Sequence, residues 1–288
     1  MITHGILPDA LRFNHDAMNT SFSLRLRTID PREARGMARE CFELLDMLES
    51  RLSRFIEDSE VSRINALRAG ETLYLSEPCH QCLLLALDAC ARTGGLFDIT
   101  LGTRIAHRKA GGGGSGPPLA GRLTLHPDVA AITCEEPGRQ IDLGGIAKGF
   151  ALDQLQQLLT GWGAPDALLA AGASSLLAFG PTAWPVDLTG ERETVRVLLA
   201  NQALSASGTG IQGHHIIHPG GEEAMPARPC KRVWVIAATA ALAEIWSTAL
   251  MLVAPEDLPA CIAGHADLAR VFAEHADHVN PVPPATTF

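Results

Sequence analysis

Arg139-Gln-Ile-Asp-Leu-Gly-Gly-Ile-Ala-Lys-Gly-Phe-Ala-Leu-Asp153 reads as a short apolar lead-in, a Gly-rich bend carrying a carboxylate and a lysine, and the start of a helix. Ile141 and Leu143 alternate with Asp142 as a strand end would, and from Ile146 onward Phe150, Leu155 and Leu159 keep helical spacing. Gly144 and Gly145 let the backbone approach a ligand, while the helix behind them turns free N–H groups and a partial positive charge toward it. Phosphate is the natural guest of such a bend, and Lys148 adds a full charge. A Walker A loop needs Gly-Lys followed by Ser or Thr; here Lys148 precedes Gly149 and Phe150, so this is not an ordinary P-loop. The same residues also suit a plain strand-to-helix turn with a surface lysine, and locally both readings stand.

Composition narrows the partners. With 288 residues, 47% hydrophobic and 19% charged, the chain can bury a sizeable core in one large domain or two small ones. A formal net charge of -9 and no basic runs argue against nucleic acid or an anionic membrane surface. The first residues, Met1-Ile-Thr-His-Gly-Ile-Leu-Pro8, show neither a basic n-region nor an unbroken apolar run, which predicts a cytoplasmic protein. Seven irregularly spaced cysteines agree with a reducing compartment. Cys79-His-Gln-Cys82 is a CxxC without a second pair, and it opens an apolar helical run that reads as core. The longest apolar stretch, Val233 to Ala254, is long enough for a bilayer. Glu244, Ser247 and Thr248 interrupt it, and Val233, Val235 and Ile236 read as a strand, so a buried strand and a buried helix are expected instead of membrane insertion.

In chain order, Phe22, Leu24 and Leu26 mark a half-buried strand, and Pro31 opens a helix running to about Phe55. A second helix spans about Glu77 to Arg92 and stops at Gly94-Gly95, before Leu96-Phe-Asp-Ile-Thr-Leu-Gly102. Residues 110–121 are rich in glycine and offer nothing to bury, which predicts a flexible loop. A strand and a turn are expected over 166–180, then strands around 184–188 and 195–200. Gly208-Thr-Gly-Ile-Gln-Gly213 matches the GxGxxG string, but His214-His-Ile-Ile-His-Pro-Gly-Gly221 reads as strand and turn where a dinucleotide fold requires a helix.

Read together, these stretches resemble the ApbE-type flavin transferases, the FAD:protein FMN transferases once called thiamine biosynthesis lipoproteins. Met18-Asn-Thr-Ser-Phe-Ser23 is similar to the family's Met-Gly-Thr strand, Ser53 to Asn65 to its Asp-Ser-Glu-x-Ser-x-x-Asn segment, and Thr93-Gly-Gly-Leu-Phe-Asp-Ile-Thr100 to its Gly-x-Phe-Asp-x-Thr motif. Asp142 to Asp153 matches its most specific signature almost letter for letter, while His215-Ile-Ile-His-Pro219 and Ala243-Glu-Ile-Trp-Ser-Thr-Ala-Leu250 resemble the remaining two.

The resemblance implies a single α+β domain over 1–288, with mixed, largely antiparallel sheets flanked by helices. It implies transfer of FMN from FAD to a Thr or Ser hydroxyl of an acceptor protein, with magnesium, releasing AMP. FAD would lie where residues 142–149 face 244–248, lined by Met18, Phe55, Asp98, Asp142, Gly144 and Lys148. Magnesium would be held by Glu244, Thr248 and the Gly145 carbonyl, and His215 would be the base, with Lys148 as its catalytic partner. Two departures stand out. Glu244 replaces the usual Asp, and His218 with Gly220 replaces an Asp and an Arg after the histidine. An FAD pyrophosphatase, or an FAD-binding protein without catalysis, are the alternative readings.

Overall fold

The computed structural model describes residues 2–5, 9–208 and 216–285. After a short strand β1 (Ile2–His4), β2 (Leu11–Ala17) and β3 (Thr20–Arg27) form a hairpin. Its two turn residues, Met18 and Asn19, both take positive φ, 52° and 56°, the twist a two-residue hairpin wants. Helix α1 (Pro31–Leu52) starts with Asp30 accepting the amides of Arg32 and Glu33 and with proline in its first turn. Then come α2 (Glu60–Asn65), β4 (Thr72–Tyr74), α3 (Glu77–Arg92), α4 (Gly102–Lys109), β5 (Arg122–His126) and β6 (Ala131–Glu136). Helix α5 (Ala147–Gly161) follows the Gly-rich bend. Five strands come next: β7 (Asp166–Ala171), β8 (Ser175–Phe179), β9 (Trp184–Thr189), β10 (Thr194–Leu199) and β11 (Gln202–Gly208). The chain closes with β12 (Arg232–Ala237), α6 (Ala240–Leu250), α7 (Leu258–Ile262), β13 (Leu268–His275) and β14 (His278–Val282).

The strands form an eight-stranded sheet, β14-β13-β12-β11-β8-β7-β3-β2, and two three-stranded sheets, β1-β9-β10 and β4-β6-β5. Every pairing within them is antiparallel. Side-chain alternation divides the large sheet between two cores. Phe22, Leu24, Ala167, Leu169, Leu177, Val233, Val235 and Val271 point into the helical layer with Leu45, Leu48, Leu152, Leu155 and Ile245. Leu168, Ala170, Leu176, Leu204, Trp234, Ile236 and Phe272 point the other way, onto Trp184, Val186, Leu188 and Leu199 of the β9-β10 sheet. The α+β architecture with helices flanking largely antiparallel sheets is the one expected.

The apolar run from 233 to 254 is indeed a buried strand and a buried helix, and among the described residues no helix is long and apolar enough to cross a membrane. Cys79 and Cys82 are buried free thiols on α3, part of the core. Residues 216–218 take no regular structure before a turn, while 214 and 215 of the expected strand lie outside the described residues; among the described residues that follow the GxGxxG string, the first helix is a single 3-10 turn at Glu222–Ala224. The Gly-rich segment is tied by several side-chain hydrogen bonds, among them His107 Nε2 to Gly113 O (3.2 Å) and Arg139 Nε to Gly121 O (3.3 Å). Arg104 Nε donates to Pro117 O (3.1 Å), Arg108 Nη2 to Gly114 O (3.4 Å), and the Glu222 amide to Ser115 Oγ (3.4 Å).

Candidate functional site

The bend is held from three sides. Asn65, the last residue of α2, brackets Ile141: its Oδ1 accepts the Ile141 amide (2.6 Å) and its Nδ2 donates to the Ile141 carbonyl (3.0 Å). Next door the Asp142 amide donates to Ile99 O (2.8 Å), pinning the bend to the segment that carries Asp98. The Asp142 carboxylate, 7% exposed, accepts from the Gly144 amide through Oδ1 (2.8 Å) and from Arg54 Nη1 through Oδ2 (3.0 Å). Arg54 Nη1 also reaches the Gly102 carbonyl (3.0 Å), so one guanidinium joins the end of α1, the start of α4 and the bend. Asp142 therefore shapes the bend from inside.

The glycines are demanded by close packing, since neither Gly144 nor Gly145 has a positive φ. A Cβ on Gly144 would lie 2.9 Å from Asp142 Oδ1, and one on Gly145 would lie 3.0 Å from the Phe97 ring. Gly149, in the first turn of α5, is tighter still: a Cβ there would sit 2.5 Å from the Ala240 carbonyl. That contact brings α5 and α6 together backbone to backbone. It also sets Glu244, one turn into α6, against the N-terminal amides of α5.

Glu244 is 4% exposed and fully engaged. Its Oε2 accepts the Gly149 amide (2.7 Å), its Oε1 accepts Ser175 Oγ (3.2 Å), and Lys148 Nζ forms an ion pair with Oε1. Thr248 lies on the same face one turn later. Its Oγ1 is 3.4 Å from Ser207 Oγ, which lies 2.9 Å from Ser247 Oγ; Ser247 in turn donates to Ser205 (3.2 Å). A Cβ on Gly145 would come 3.7 Å from Thr248 Oγ1, so the bend and the threonine are neighbours. A carboxylate, a hydroxyl and a main-chain carbonyl are hard oxygen donors, the set that suits a small divalent cation. Among the described residues no group of three or more His, Cys, Asp or Glu side chains gathers for a metal, so Glu244 would be the carboxylate of this one.

Three of the remaining expected residues lie on segments that adjoin this centre. Asp98 accepts both the amide and the hydroxyl of Thr100 (2.7 Å each), with Arg139 Nη1 at 4.0 Å. Phe55 is 79% exposed, with the cations of Lys109 and Arg54 at 5.5 and 5.9 Å from its ring centre. Met18 gives its amide to Glu49 (2.8 Å) in the β2–β3 turn. That turn abuts the β7–β8 turn, where the Gly172 amide donates to Ser21 O (2.9 Å), and β8 begins with Ser175. His215 lies outside the described residues. His218 does not; burial lowers its pKa, and its Nδ1 accepts the Gly220 amide (2.9 Å). Arg54, Asn65 and Ser175 were not singled out from sequence. The first two lie in the 53–65 motif, where their residue types were a usable signal.

The model of the ApbE family matches residues 18–272. This chain belongs to the ApbE family. Curated relatives agree: the FAD:protein FMN transferase of Rhodobacter capsulatus is 30% identical over 245 residues, 75% of this chain and 44% of that protein. The one from Treponema pallidum is 26% identical, over 65% of this chain and 63% of its own length, so the matched region spans about half to two thirds of these relatives. Among solved structures, the flavin transferase ApbE from Vibrio cholerae superposes with a TM-score of 0.79 at 18% identity, covering 96% of this chain and 97% of that one. The apo flavinyl transferase ApbE from Pseudomonas stutzeri gives 0.81 at 21% identity, covering 96% and 98%. The ApbE fold is thus shared nearly end to end, and the bend built from Asp142 to Lys148 lies within the matched region.

Proposed function

We propose that this chain transfers FMN from FAD to a Thr or Ser hydroxyl of an acceptor protein and releases AMP. The observation that carries the reading is the meeting of Lys148, Glu244 and Thr248 over the glycine bend at the α5 N-terminus. Both the named relatives and this arrangement of charge support it. Binding comes first: the α5 N-terminus supplies a positive end, Lys148 a cation that is only partly exposed, and the open face beside Phe55 an aromatic surface for a ring system. Asp98 and Asp142, with Gly144, would keep the bend and the segment beside it in place for the flavin.

In the reaction the acceptor oxygen forms a bond to the phosphorus next to riboflavin, and the bond from that phosphorus to the AMP phosphate breaks. The hydroxyl proton would pass to His215, since the ordinary pKa of an imidazole suits it to base work near neutrality. Lys148 stabilises the charge that develops on the phosphate oxygens. Glu244, Thr248 and the Gly145 carbonyl would hold magnesium, which when bound neutralises pyrophosphate charge and favours departure of AMP. The free thiols support a cytoplasmic setting.

Glu244 already has three donors from its own chain, and that observation favours keeping the alternatives in the test. Incubation with FAD, magnesium and an acceptor domain separates them by product. FMN-labelled acceptor with AMP supports transfer, free FMN with AMP means a pyrophosphatase, and intact FAD means a binding protein without turnover.

A further inference from the structure

The Glu244 carboxylate has a resident cation. Lys148 reaches it from the first turn of α5, and the pair is locked by the Gly149 amide on the other carboxylate oxygen and by the Ser175 hydroxyl. The length of the side chain matters. Glutamate extends one methylene further than aspartate, a shift of about 1.5 Å in the position of its oxygens. That reach lets an α6 residue accept an α5 amide and meet the lysine beside it. Meanwhile Thr248 and the Gly145 backbone stand together on the bend side, and among the described residues Thr248 Oγ1 meets the Ser207 hydroxyl at a long 3.4 Å. The Thr248 hydroxyl is thus weakly committed, and the Glu244 carboxylate is charge-neutralised.

We propose that Lys148 acts as a built-in competitor for the divalent cation: the ammonium occupies Glu244 Oε1, and an ion takes the site by displacing it. This rests on the reading of Glu244, Thr248 and Gly145 as the ion's donors. Two cations cannot share one carboxylate oxygen in a largely buried site without strong repulsion, so the ion and the ammonium exclude each other. An incoming pyrophosphate offers Lys148 another anion, which frees Glu244. Flavin and ion then bind cooperatively, with the lysine moving between two partners.

The test uses the flavin-free full chain and manganese as the probe, followed by calorimetry and by the electron spin resonance signal of the free ion. Lys148→Met keeps an unbranched side chain, one atom shorter, and removes the charge; it should tighten manganese binding at least tenfold over the parent. Lys148→Gln is the second variant if the first melts early. Adding Thr248→Val to Lys148→Met should reverse the gain, which ties it to this site. Equal or weaker binding in both lysine variants, absence of binding in them, or a gain that survives Thr248→Val would each overturn the proposal. None of these readouts involves turnover. Failure of the transferase reading shows instead as intact FAD in the product assay, so the two can fail separately.

Discussion

At the scale of single residues the chemistry turns on how a buried carboxylate is satisfied. Removing one partner from a buried pair leaves the other charge without compensation, and Glu244→Ala would strand the Gly149 amide and the Ser175 hydroxyl as well. We expect Glu244→Ala to abolish magnesium-dependent AMP release and to lower stability by about 3 kcal/mol, read by product chromatography and urea denaturation. AMP release at the parental rate would place the cation elsewhere. Glu244→Asp should instead raise activity or magnesium affinity, because the shorter side chain loosens its hold on the Gly149 amide and faces the bend. Lys148→Ala should weaken FAD binding, titrated by flavin fluorescence in the presence of chelator, while the far-ultraviolet dichroism stays parental. Unchanged affinity would remove Lys148 from the flavin site. Much of this centre was legible in sequence, since Lys148, Glu244 and Thr248 were singled out together. Their mutual ion pair was not. Nothing in residue type or spacing says that a lysine on one helix will spend its charge on a glutamate 96 positions later.

At the scale of elements, the site exists because α5 and α6 touch through glycine. Gly149→Ala would put a methyl group into the Ala240 carbonyl, a backbone atom that cannot swing aside. We expect a loss of about 3 kcal/mol or more, with Glu244 displaced. Gly161→Ala, at the far end of the same helix with open space around it, should be neutral or slightly stabilising. Equal melting temperatures for the two would refute the close contact. Asp153 completes the joint by accepting the Ala240 and Ala241 amides at the start of α6 (2.7 and 2.9 Å). Burial pushes its carboxyl up to about 6, partly offset by those amides and reinforced by the Glu244 charge. Between about pH 4 and 6 the folded chain therefore keeps a proton that the unfolded chain has lost. Stability from this residue is full below pH 4 and falls as the pH rises through 6. Asp153→Asn should remove that slope, improving relative to the parent by about 2 kcal/mol from pH 4 to 6.5 in denaturant titrations. Parallel curves would contradict the assignment. The signature stretch announced α5, but its partner across the glycine could not be read, because helix contacts through backbone leave no periodic trace.

At the scale of the whole molecule, the helical layer was easier to foresee than the far side of the large sheet. Helices α1, α3 and α5 follow from their apolar spacing. Strands β7 and β8 are buried on both faces, so period-two alternation disappears, and 166–180 reads as one strand and a turn where there is a complete hairpin. The small β4-β6-β5 sheet escaped for the opposite reason: its outer strands β4 and β5 are short and only partly buried, with few apolar residues each. The thiols are distributed across this architecture unevenly. Cys41, Cys79, Cys82, Cys134 and Cys230 are buried, and only Cys90 and Cys261 are partly open. Burial raises the thiols of Cys41 and Cys82 to about 12 and that of Cys230 to about 11, which suppresses the reactive thiolate further. An alkylating reagent at pH 8 should therefore modify Cys90 and Cys261 first. The three buried thiols on α1 and α3, Cys41, Cys79 and Cys82, should follow only at the rate of global opening, and early labelling of Cys82, read by peptide mass spectrometry, would show that α3 detaches on its own. The molecule thus carries its own unfolding clock, graded in depth, whose slowest hand sits in the helix layer that also shelters Glu244.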